Sequence, residues 1–294
     1  MSLSAIFSRA QAENRAALIV YITAGDPSLA ATVDLALALG EAGADLVELG
    51  IPYSDPLADG PIIQAAGQRA LAAGATVAGV LEAARKISVG QAAGPSPVEG
   101  PVERRTQRVR LSEAGPSASP PPALLLMTCF NPVLQYGPER FAEEASAAGV
   151  SAVLISDLPP EEAGEWREIA ARHSLETVFL VTPVSEPERL ALACEASTGF
   201  VYVVSRAGTT GVRADLPPEL PDLLRRLRGL TDRPLAVGFG VSRPEHVAAV
   251  ARIADGAIVG SAIVRVIGEL GASGEMIPTV SALVRDLAKA TVRL

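Results

Sequence analysis

The chain has 294 residues, of which 49% are hydrophobic and 20% charged, so it is long for one ordinary domain and ample for a large core. A formal charge of −8 supplies no basic field for a phosphate backbone, which excludes nucleic acid as an expected partner. Two cysteines, Cys129 and Cys194, and two histidines, His173 and His246, exclude a disulfide scaffold and a His-rich metal site, and they fit a reducing, cytoplasmic compartment.

Short apolar runs bounded by Gly, Pro, Asp or Ser recur along the chain and predict eight buried strands: 17–23, 45–50, 123–128, 152–156, 177–182, 200–204, 235–238 and 256–260. Amphipathic segments lie between them. Residues 78–87 carry Val80, Leu81, Ala84 and Ile87 at helical spacing, and a helix beginning at Pro138 meets its stop at Gly149. Ser185-Glu-Pro-Glu188 and Ser242-Arg-Pro-Glu245 read as capping boxes, and both histidines fall on polar helix faces where surface placement is expected. Eight β–α alternations without a Gly-x-Gly-x-x-Gly turn predict a closed (β/α)₈ TIM barrel rather than an open sheet. Strand starts fall 21 to 35 residues apart, except for one gap of 78 between the second and third. That gap contains residues 88–122, where seven prolines, four glycines and five serines predict a disordered inserted loop in an otherwise single domain spanning 1–294. No apolar run approaches the roughly 20 residues of a membrane span, and Met1-Ser-Leu-Ser-Ala carries no export pattern.

In a barrel, chemistry gathers where strands end. Along Leu46-Val-Glu-Leu-Gly50 the period-2 alternation sets Glu48 on one face with Leu46, pointing a carboxylate into an apolar layer. Burial raises such a pKa toward neutrality and suits the group to proton transfer, although structural ion pairs produce the same pattern. The loop that follows holds Asp55 and Asp59; each precedes a turn residue and reads equally as a cap, and spacing does not choose between them as a partner for Glu48. Residues 206–212, Gly238-Phe-Gly240 and Gly260-Ser261 put glycines at three successive strand ends, the pattern of a phosphate grip completed by a helix N-terminus. Tyr21 and Tyr202 sit where they either line the barrel mouth or pack in the core. Cys129 has no neighbouring base and reads as a small buried hydrophobe.

The run Glu48-Leu-Gly-Ile-Pro-Tyr-Ser-Asp-Pro-Leu-Ala-Asp-Gly-Pro-Ile-Ile-Gln64 closely resembles the signature of the tryptophan synthase alpha chain family. The resemblance extends through Tyr21-Ile-Thr-Ala-Gly-Asp-Pro27, Asn131-Pro-Val-Leu-Gln-Tyr-Gly137, Asp157-Leu-Pro159, Tyr202-Val-Val-Ser205, Gly238-Phe-Gly-Val241 and Gly260-Ser-Ala262, and covers the chain outside 88–122. It implies a (β/α)₈ barrel that cleaves indole-3-glycerol phosphate to indole and glyceraldehyde 3-phosphate. It further implies a pyridoxal-phosphate-dependent beta chain as partner in an α₂β₂ assembly, and no metal or cofactor in this chain. By the same resemblance Glu48 is the general acid and base and Asp59 the second catalytic carboxylate. Tyr21, Ile63, Leu126, Tyr202 and Thr210 contact substrate. Gly211, Gly240, Gly260 and Ser261 hold phosphate, while Pro52 and Asp55 meet the beta chain. Cys129 and Phe130 depart from the two tyrosines usual there, and 88–122 has no expected family counterpart. A sugar-phosphate isomerase on the same barrel, or a subunit that only activates the beta chain, are the competing readings.

Overall fold

Nine strand segments are joined by helices in the computed structural model, which describes residues 2–57, 59–91, 120–205, 217–238 and 240–293. They are β1 (Ala17–Thr23), β2 (Leu46–Gly50), β3 (Ala123–Thr128), β4 (Ala152–Ile155), β5 (Glu176–Thr177), β6 (Phe179–Val181), β7 (Val201–Val204), β8 (Leu235–Gly238) and β9 (Gly256–Val259). All pairings between these strands are parallel, in the order β5-β4-β3-β2-β1-β9-β8-β7-β6. The two outermost segments, β5 and β6, are one expected strand interrupted at Val178, so the sheet returns on itself through that residue. The interruption has a hydrogen-bonding cause. Val178 N still donates to Val153 O on the β4 side (3.3 Å), while Thr198 N and Gly199 N, leading into β7, take Thr177 O at 3.0 and 3.1 Å. The chain changes partners there, and this brings the barrel round on itself.

Period-2 alternation divides the core in two. Val47, Leu49, Leu124, Leu126, Val153, Val201, Val203 and Val237 face out against helices and join the larger cluster. Ile19, Leu46, Leu125, Leu154, Phe200 and Ile258 face in and form the smaller one. Leu3, Ile6, Phe7 and Ala10 of the helix Leu3–Ala12 belong to that inner cluster, all of them 0–6% exposed, so this helix plugs the N-terminal end of the barrel. At the same end Asp45 accepts from Arg15 Nη1 and Nη2 (2.6 and 2.8 Å), Arg9 Nη2 (2.9 Å) and Leu18 N (2.9 Å). A buried carboxylate with that many charged donors is a structural tie.

Several expectations at element ends need correction. The helix Val77–Ser88 runs one residue into the expected insertion, and at its far end Pro122 is buried, where a Cβ on Gly40 would meet its Cδ at 2.7 Å. The inserted stretch therefore begins after the helix and ends before Pro122; its interior, 92–119, lies outside the described residues. Neither capping box forms. The helices Pro187–Ala196 and Pro244–Ala251 start one residue later than expected, with proline at N1, Glu186 and Arg243 at the N-cap and no side-chain cap bond. Ser185 Oγ instead accepts from Thr182 N (3.1 Å). His246 is buried at 4% exposure, its ring turned back to Ser242 N and Arg243, whereas His173 is half-exposed beside Glu139. Gly149 does stop the helix Pro138–Ala147, at φ +81°, with Gly149 N and Val150 N satisfying the Ser146 and Ala145 carbonyls.

Candidate active site

At the C-terminal end the inner face changes character. Glu48 pairs in register with Tyr21 on β1 and Leu125 on β3, which aims its carboxylate inward just below the mouth. It is 1% exposed, and neither carboxylate oxygen has a hydrogen-bond partner among the described residues. Burial, with a smaller contribution from the nearby Asp59 charge, pushes its pKa up to about 8. Glu48 is thus protonated at neutral pH and close enough to its midpoint to give and retake a proton.

The two expected tyrosines flank this group. Burial above all, with the Asp59 and Glu48 charges adding to it, raises both phenols well beyond their ordinary value, so they stay neutral. Glycine makes room for each ring. A Cβ on Gly50 would collide with Tyr21 Oη, and one on Gly238 would lie 2.5 Å from Tyr202 Oη. Both glycines end strands, so the tyrosines can lie flat across the barrel mouth.

A cavity of about 540 Å³, open solvent at its mouth included, lies over these rings. Tyr21, Asp59, Ile63, Tyr202, Gly240, Gly260 and Ser261 line it, together with Met127 and Val241. The structure therefore brings Asp59, the two tyrosines, Ile63 and three of the four expected phosphate residues to one space above Glu48. Ser261 opens the helix Ser261–Leu270, whose first-turn N–H groups and dipole favour an anion. Thr210 and Gly211 lie outside the described residues, as does the rest of 206–216. Leu126 is a correction. It is fully buried among outward-facing residues, because Glu48 pairs with Leu125 and sets the phase of β3; Met127 is the β3 residue on the cavity.

Of the two aspartates, Asp59 lies on the cavity and Asp55 is exposed beside Ser54, with half-buried Pro52 on the same loop. Burial raises the Asp59 pKa, and a hydrogen bond from Tyr53 opposes the rise. Two residues that motif reasoning passed over hold this loop. Gln64 Nε2 donates to the carbonyls of Pro56 (3.1 Å) and Asp59 (2.9 Å), and Tyr53 Oη donates to Asp59 Oδ2 (3.4 Å). Gln64 stands one helical turn past the loop, which is the signal that would have found it. Cys129 is half-exposed rather than buried. Desolvation, with neighbouring Asp157, pushes its thiol up to about 11, so it is no nucleophile at neutral pH.

Comparison with known proteins bears on the same positions. The sequence profile of the tryptophan synthase alpha chain family matches residues 7–97 and 109–292, so only 98–108 within the inserted region falls outside it; the expectation that all of 88–122 lacks a counterpart is thereby narrowed. The tryptophan synthase alpha chain of Solibacter usitatus is 44% identical over 282 residues, covering 96% of this chain and 95% of that one. A solved structure of Mycobacterium tuberculosis tryptophan synthase superposes with a TM-score of 0.82 at 39% identity, over 99% of this chain and 98% of that one. The tryptophan synthase alpha chain of Legionella pneumophila superposes at 0.80 with 31% identity, over 99% and 97% of the two chains.

Proposed function

This chain belongs to the tryptophan synthase alpha chain family and is a lyase that cleaves indole-3-glycerol phosphate to indole and glyceraldehyde 3-phosphate, and from that premise we propose that Glu48 carries both proton transfers while Asp59 holds the ring nitrogen. The observation that carries the proposal is the buried carboxyl of Glu48, without a hydrogen-bond partner among the described residues and with its pKa pushed up to about 8, beneath a cavity that Asp59 lines.

Cleavage is a retro-aldol step whose leaving group is a ring carbon of indole. Glu48, protonated at the outset, gives its proton to that carbon, and positive charge develops on the ring nitrogen. Asp59 accepts the hydrogen bond of the ring N–H and stabilises the charge in a site from which water is largely excluded. Glu48, now a carboxylate, removes the proton of the side-chain hydroxyl. The carbon–carbon bond breaks, its electron pair restores the aromatic ring, and the hydroxyl carbon leaves as the aldehyde. Glu48 ends protonated, so one group completes the cycle. These steps need proton transfers and charge stabilisation only, and we assign no metal or organic cofactor to this chain. Gly240, Gly260 and Ser261 hold the phosphate together with Gly211, and Thr210 is a further substrate contact. Tyr21, Ile63, Tyr202 and Met127 enclose the indole.

The family works with a beta chain. We assign the docking face to the mouth of the barrel, in an α₂β₂ assembly with pyridoxal phosphate on the beta partner. Asp55, Pro52 and the exposed apolar side chains Leu57 (90%), Val184 (72%) and Leu134 (53%) support this, since all follow the C-terminal ends of strands. The family's biosynthetic role and the two free cysteines support a cytoplasmic location. One experiment tests the core of the proposal: release of indole from indole-3-glycerol phosphate by wild type and Glu48→Gln, with and without beta chain. The variant is expected to lose about 10³-fold or more in kcat, and the beta chain to raise wild-type turnover. Wild-type turnover by Glu48→Gln would overturn the assignment.

A further inference from the structure

A second chamber, of about 350 Å³ with open solvent included, adjoins the cavity and shares Tyr21, Asp59, Ile63 and Met127 with it. Its remaining lining brings hydroxyls from four separate strand ends: Thr23 at the end of β1, Tyr53 from the loop after β2, Thr128 from the end of β3 and Ser156 just past β4. Tyr53 Oη donates to Asp59 Oδ2 (3.4 Å), and the Ser156 hydroxyl lies on the same lining, near enough to the phenol to favour its charged form. A phenol has one proton, and a carboxylate can only accept. With that proton directed to Asp59, the phenol oxygen is left only to accept, and the Ser156 hydroxyl is the neighbouring side chain suited to donate to it.

The surroundings give this arrangement something to do. Among the described residues no lysine, arginine or histidine lines either chamber, so none of them offers Asp59 a cation that would keep it ionised. Burial works against its charge, and the Glu48 carboxylate, once it has given up its proton, repels it. The phenol is the side-chain donor that the carboxylate has among the described residues. Ser156 lies beside it on the same lining, and the backbone of Asp59 is fixed independently by Gln64. From this geometry we infer that Tyr53 is a positioning residue: it turns Asp59 toward the ring nitrogen of the substrate and holds it as a carboxylate. The inference rests on the role proposed above for Asp59.

The sign of the effect follows. A donor to the charged form lowers a carboxyl pKa, so removing it raises the pH below which Asp59 is protonated and no longer accepts the ring N–H. Steady-state indole release is measured against pH for wild type, Tyr53→Phe, Ser156→Ala and Asp59→Asn, with thermal melting of each. Tyr53→Phe is expected to lower kcat about tenfold and to move the acid limb of kcat/KM up by about one pH unit. Ser156→Ala, which keeps the phenol, should move the limb in the same direction by less, and it carries the test if Tyr53→Phe folds poorly. A loss of kcat that is uniform across pH, with the acid limb unmoved, would mark Tyr53 as merely structural and overturn the inference. Wild-type kinetics in both hydroxyl variants would do the same. If Asp59→Asn is inactive in that case, only the inference falls; if Asp59→Asn is itself fully active, the role of Asp59 falls and the inference with it.

Discussion

Asp45 and Glu48 are three residues apart, yet they stand at opposite ends of the barrel and in opposite circumstances. Asp45, immediately before β2, receives two guanidinium groups and a backbone N–H, while Glu48, within β2, receives nothing among the described residues. Both are at least 94% buried. The first carboxylate ties the helix Leu3–Ala12 and the start of β1 to β2, and its charge is fully answered. The second is held in a place where its charge is unwelcome, and the cost is borne by the rest of the fold. One strand thus carries both a fastening and a reactive group, and what separates them is the company each keeps.

That contrast can be broken from either side. The largest expected effect is at the fastened end: Asp45→Asn leaves Arg15 and Arg9 without their shared carboxylate and should cost about 3–5 kcal/mol in urea denaturation, with kcat of the folded protein unchanged. At the reactive end the sign reverses. A carboxyl whose folded pKa is raised above its unfolded value favours folding fully below the unfolded pKa of about 4.5, and that support is lost as pH rises to about 8. Glu48→Gln should therefore melt higher than wild type, by an amount growing from acid to neutral pH and reaching up to about 3 kcal/mol near pH 7. Equal melting of the two proteins at all pH values would remove the claim that Glu48 is strained. The smallest effect sharpens the contrast: Gly238→Ala brings a methyl to 2.5 Å from Tyr202 Oη and should cost about 1–2 kcal/mol of stability. Because the displaced ring lines the cavity, KM and kcat should worsen as well.

Much of this is legible in the sequence. Strands of a parallel barrel are buried on both faces and read as continuous apolar runs, so their positions stand out, and a lone Glu48 within such a run marks itself. Phase is harder. Leu124, Leu125 and Leu126 are chemically the same, and only the cross-strand register of Glu48 with Leu125 decides which of them faces inward. The break at Val178 is likewise a property of two neighbours, one accepting from Val178 N and the other donating to Thr177 O, not of the residues 176–181 themselves. At the helix starts proline outweighed serine. With its ring suited to N1, it moved each cap one residue along and left the expected boxes unmade. Tyr53 escaped notice because its meaning depends on Ser156, which comes from a different strand end and is distant in sequence.

The buried helix at the N-terminal end has one more implication, which concerns traffic. With Leu3, Ile6 and Phe7 filling the floor and Ile19, Leu46, Leu125 and Leu154 packed above them, the described residues close the barrel at its N-terminal end and leave the cavity at the other. Traffic through the floor is barred, so substrate and products meet the other end, where the loop carrying Asp59 stands beside the cavity. Departure order then becomes a matter of geometry: whichever product lies nearer the rim has to clear it before the deeper one can move. A partner seated on the rim would govern that queue without touching a single reacting atom.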